Sequence, residues 1–110
     1  MEWTSLKTSK DKIFYVGTVF RCHNVSKPYE RIVDFLLINY PHGDSGFALI
    51  VSSGYHTGDI VICLPTEAKT QLNYSAISVD WIRANWSKWV SETISIDDVY
   101  ISHNYPAPRS

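Results

Sequence analysis

Stretches of dense apolar residues, separated by turn residues, mark most of the secondary structure of this chain. Residues 13–22 (IFYVGTVFRC) are rich in aromatic and β-branched side chains and predict a first strand. The loop HNVSKPYE follows, punctuated by Pro28. Arg31–Tyr40 (RIVDFLLINY) predicts a second strand, with Val33, Phe35 and Leu37 on one face and Ile32, Leu36 and Ile38 on the other, where Asp34 interrupts them. Phe47–Ser52 and Asp59–Leu64, the latter closed by Pro65, predict a third and a fourth strand, and the Gly-bearing turns PHGDSG and SGYHTGD precede them. Such short connections favour an antiparallel meander. Strands two to four are apolar on both faces, unlike a sheet with one solvated face. Both faces therefore need cover, from curvature into a half-barrel, from a helix, or from a partner chain such as a second copy.

A different period takes over at SVDWIRANWSKWV, which holds three of the four tryptophans. At about 100° per residue, Trp89, Ile82, Trp86, Val79 and Val90 share one apolar arc of roughly 100°. Arg83, Ser87, Asp80, Ala84 and Lys88 fill the opposite side, and Trp81 lies at the edge of the arc. Ser78 is a suitable N-cap, and Asp80 and Lys88 suit the two ends of the helix dipole. A buried Trp removes about 200 Å² from water, so the arc predicts core, while Trp81 keeps an edge in solvent. Between the fourth strand and this helix, TEAK predicts one short helical turn. Val99–Ser102 is expected to add a fifth strand at the sheet edge. Residues 1–11 and 104–110 read as loose termini. The expected fold is α+β: one domain over 1–110, a curved antiparallel sheet of four to five strands with the Trp-rich helix packed on it.

Composition narrows the class. The 110 residues are 45% hydrophobic and 14% aromatic, enough for one modest core. The net charge of −1 offers no overall field for nucleic acid or anionic membrane. Neither a signal peptide nor a membrane span is visible, so a soluble cytoplasmic protein is expected, with Cys22 and Cys63 as free thiols.

Catalytic patterns are sparse. No CxxC, HxxxH or HxH occurs, so no metal site is expected. Cys22 and His23 have the residue types of a nucleophile and its base, but neighbours on a strand point to opposite faces. Cys63, in DIVICLP, reads as a small core residue. Glu30 and Asp34, on one strand face, would stand about 13 Å apart, wide for a paired acid and base. Asp34 sits among apolar residues and needs a donor from Arg, Tyr or Trp. GYHTG lacks the lysine of a phosphate-binding loop, and Lys7, Lys10 and Lys12 form only a broken basic arm. Two features suit a protein interface better. Tyr55 and His56 stand at a turn tip, and Glu92, Asp97 and Asp98 form an acidic run suited to a basic cleft on a partner.

The order KPYERIVDF, SGFALIVSSGYHTGDIVICLP, VDWIRANWSKWV and IDDVY resembles the immunity protein 45 family of bacterial polymorphic toxin systems, from about Phe14 to Tyr100. The signposts are Pro28-Tyr29-Glu30, Val33-Asp34-Phe35, Ser53-Gly54-Tyr55, Gly58, Leu64-Pro65, Trp81, Asn85-Trp86 and Trp89. The resemblance implies a small cytoplasmic antitoxin that binds and blocks a cognate toxin domain, with no catalytic residues and no cofactor. Tyr29, Glu30, Tyr55, His56, Trp81, Glu92, Asp97 and Asp98 are then the candidate contact residues. The alternatives from the residues alone are a small hydrolase-like enzyme using Cys22/His23 or Asp34, and a ligand-binding or homodimeric module.

Overall fold

The structure, a computed structural model, describes residues 3–25, 31–54, 56–70 and 76–103. Among these described residues eight strands form, in chain order: β1 (Thr4–Ser5), β2 (Ile13–Tyr15), β3 (Val19–Cys22), β4 (Val33–Asn39), β5 (Phe47–Val51), β6 (Ile60–Cys63), β7 (Ala76–Ser78) and β8 (Val99–Ser102). A helix, α1 (Val79–Asn85), continues into a wider turn over Trp86–Val90. Single tight helical turns occupy Thr66–Ala68, where TEAK predicts one, and Ile96–Asp98.

The main sheet has six antiparallel strands in the order β1-β8-β3-β4-β5-β6, and β2 pairs with β7 in a separate ribbon. The fold class is the expected α+β, with one helix packed on an open sheet. Three features differ from the expectation. The run 13–22 is two strands in two sheets, because the chain turns at Tyr15–Thr18. Gly17 has φ +101° there and the Thr18 N–H donates to the Tyr15 carbonyl at 3.1 Å, a turn whose third position demands a positive φ. Residues 3–11 are no loose arm: β1 pairs with β8, and Leu6 is fully buried. Finally, β8 is an interior strand between β1 and β3, where an edge strand was expected.

The arm is held by the helix. Arg83 Nε donates to the Leu6 carbonyl at 2.8 Å, and its guanidinium also donates to the Ser9 carbonyl. Ser78 caps α1 as expected, its Oγ accepting the Trp81 N–H at 3.2 Å. From the helix, Val79, Ile82 and Trp86 enter a core formed with Phe14, Phe20, Phe35, Leu37 and Leu49. Trp86 lies against Phe20 and Phe35, with ring centroids 6.1 and 6.4 Å away, and its indole N–H donates to the Ile94 carbonyl at 2.8 Å. A buried indole thus gains both apolar contact and a satisfied donor.

Trp89 corrects the helical wheel. It is 41% exposed, not core. The helix widens after Asn85, and the Ser91 N–H bonds to the Trp86 carbonyl five residues back at 2.9 Å. A π turn advances only about 80° per residue, so over three residues Trp89 lags its α-helical position by roughly 60°. It swings out of the core arc and meets Trp81, ring centroids 6.0 Å apart.

Candidate partner-binding site

Strand alternation gives the sheet a second face. The residues Phe20, Phe35 and Ile101 turn toward the helix, so their neighbours in register turn away. One row on the far face runs Ser102, Val19, Leu36, Ile50 and Ile60 across five strands; the next runs Tyr100, Arg21 and Asp34. Ile60, Ile32 and Tyr100 are 47%, 50% and 36% exposed, so this face keeps apolar surface in solvent.

At its β1 end the face opens into a concavity of about 540 Å³ lined by Trp3, Arg21, His23, Asn24, Asp98 and Tyr100. Its floor is a cross-strand ion pair. Arg21 grips Asp34 with two parallel bonds, Nε to Oδ1 at 2.8 Å and a terminal nitrogen to Oδ2 at 2.9 Å. Asp34 is only 2% exposed, and its N–H donates to Ser53 Oγ at 2.9 Å. The planar guanidinium fits a carboxylate fork and leaves a flat face, which Trp3 covers 4.2 Å from its ring centroid. The donor that Asp34 needed is therefore Arg21.

The wall comes from the turn before β8. Ser95 Oγ accepts the Asp97 N–H at 3.2 Å and starts the Ile96–Asp98 turn. The His23 N–H bonds to the Asp98 carbonyl at 2.9 Å, and Asn24 Nδ2 donates to Asp98 Oδ1 at 3.1 Å. Asn24 holds a left-handed backbone, φ +57°, a conformation its short polar side chain tolerates. His23 meets Tyr100 edge to face at 5.3 Å. Beside the wall, Lys7 Nζ pairs with Asp97 at 2.8 Å, and that contact raises the Lys7 pKa.

The structure separates the candidate contact residues. Asp98 lines the concavity and Asp97 adjoins it. Glu92 is exposed but takes no part in the lining. His56 is exposed, its Nδ1 3.1 Å from Asp59 Oδ2. Trp81 is half-buried against Trp89. Tyr29, Glu30 and Tyr55 lie outside the described residues. Trp3, Arg21 and Tyr100 were not singled out from the sequence. The strand pattern gave Arg21 and Tyr100 no mark, and Trp3 was read as part of a loose arm.

The hydrolase-like grouping finds no support in the geometry. Cys22 is a buried free thiol on the core face, pushed up to about 12 by burial and then by the Asp34 charge. Its neighbour His23 lines the concavity on the opposite face, and Asp34 is engaged by Arg21. Cys63 is free, as expected, but exposed on the edge strand β6, a correction to its reading as core. Among the described residues, no three His, Cys, Asp or Glu side chains gather as metal ligands, and no helix is long and apolar enough to cross a membrane.

A model of the immunity protein 45 family matches residues 6–101. The chain belongs to that family. No curated protein and no solved structure matches it. The matched span of this immunity protein 45 member includes the arm from Leu6, the whole helix, and every residue lining the concavity except Trp3.

Proposed function

We propose that this chain is the immunity partner of a bacterial polymorphic toxin, acting in the cytoplasm by binding the toxin domain in a stoichiometric complex. The observation that carries the reading is the family match over residues 6–101. The open sheet face supports it, because exposed apolar and aromatic residues beside a concavity are the ingredients of a protein interface. A tight inhibitory complex needs roughly 1,600 Å² of buried surface, anchored by a few aromatic or arginine contacts. Inhibition of this kind requires no catalytic group and no cofactor from the chain. Masking the toxin's active site is the direct route.

The test is co-expression with the toxin domain encoded beside this gene. Cells making both should survive, and a complex of one copy each should elute from a sizing column. Continued killing with no complex recovered would reject the proposal.

A further inference from the structure

We infer that the concavity between β1, β3 and β8 receives a basic side chain of the toxin domain, an arginine above all, with Asp98 as counter-ion and Tyr100 as stacking face. The inference rests on the toxin-inhibitor reading and names the chemistry of its contact. Charge matching within the site decides the sign of the occupant. Arg21 donates two bonds to the Asp34 carboxylate, which meets its charge, and the Lys7 charge is met by Asp97. Asp98 is matched differently: among the described residues, its carboxylate receives only the uncharged Asn24 amide, at Oδ1. An anion entering here would meet Asp98 with the floor cation already committed to another carboxylate. A cation would meet an acid whose Oδ2 takes no bond from any described residue.

Shape points the same way. Tyr100 is 36% exposed, stands opposite Arg21 in the strand register and lines the concavity together with Asp98, with His23 against its ring at 5.3 Å. A guanidinium stacks on aromatic faces and binds carboxylates through its fork, whereas an ammonium offers only a point charge. Arg21 already shows this packing in the same site, with Trp3 on its face and Asp34 at its fork. A space of about 540 Å³ holds such a side chain together with part of the loop that carries it.

The experiment measures the affinity of the toxin domain for the full-length wild type and for Asp98→Lys, Asp98→Asn, Tyr100→Ala and Glu92→Lys, each checked for a native melting transition. Charge reversal at Asp98 should weaken binding by roughly 100-fold or more, and Asp98→Asn and Tyr100→Ala by about 10-fold or more. Glu92→Lys, an equal charge change outside the concavity, should stay within about 3-fold of wild type. Asp98→Asn should also show weaker salt dependence than wild type. Wild-type affinity in folded Asp98→Lys and Tyr100→Ala would overturn this inference alone, as would equal losses from Glu92→Lys and Asp98→Lys. A wild-type chain that does not bind the toxin domain would overturn the inhibitor reading, and this inference with it.

Discussion

Trp86 and Trp89 are separated by one helical turn and have opposite fates. Trp86→Ala should cost about 3–5 kcal/mol, since it opens a cavity between Phe20 and Phe35 and leaves the Ile94 carbonyl without its indole donor. Trp89→Ala, at a site 41% exposed, should cost no more than about 1 kcal/mol by chemical denaturation. The two cysteines form a second contrast. A thiol reagent should label the exposed Cys63 in the native protein and reach the buried Cys22 only on unfolding. The raised Cys22 pKa has a further consequence for stability. An unfolded chain loses this proton near pH 9.0, whereas the native state keeps it to about pH 12. The contribution is therefore fully present below pH 9 and declines through that window, by at most about 1.4 kcal/mol per pH unit. A Cys22→Ala variant should lack that part of the decline in alkaline melts.

At the scale of elements, the strands between residues 33 and 63 were legible because their apolar residues cluster between Gly- and Pro-bearing turns, and that at 99–102 because it is a short β-branched and aromatic run. The rest was hidden for specific reasons. β1 is two polar residues, Thr4 and Ser5, whose strand conformation comes from pairing with β8 and not from their own pattern. The turn at Tyr15–Thr18 leaves an uninterrupted β-like run in the sequence, with Gly17 the single hint of a corner. The π turn obeys no residue preference visible in WSKWV, so a regular wheel misplaced Trp89. The site was harder still: Trp3, Arg21 and Tyr100 come from distant parts of the chain and meet only through the strand order. Arg83 is the link that keeps the arm in place. Its replacement by Ala removes bonds to the Leu6 and Ser9 carbonyls and should cost about 1.5–3 kcal/mol. The Leu6 amide, which donates to Val99, should then exchange with solvent much faster. Unchanged exchange would mean that β1 pairing alone holds the arm.

For the whole molecule, the two faces of the sheet divide the work. One face is sealed by the helix around an aromatic core and supplies stability, and the other carries the open surface and the concavity. Substitutions at Tyr100 or Ile60 should therefore leave the melting temperature nearly unchanged, whereas those at Phe20 or Phe35 should lower it sharply. The order of the sheet also has a temporal side. Among the described residues, β1, the earliest strand in the chain, pairs in the sheet with β8, the latest, which itself slots between β1 and β3. Until residue 102 has emerged, β3 has an empty flank, the arm has no strand to pair with, and the concavity has no wall. Assembly of this surface thus waits for residue 102 and depends on contacts between distant parts of the sequence, a topology that folds slowly for its size. On the proposed function, a toxin made at the same moment would meet a binding face that is ready only once β8 has been inserted.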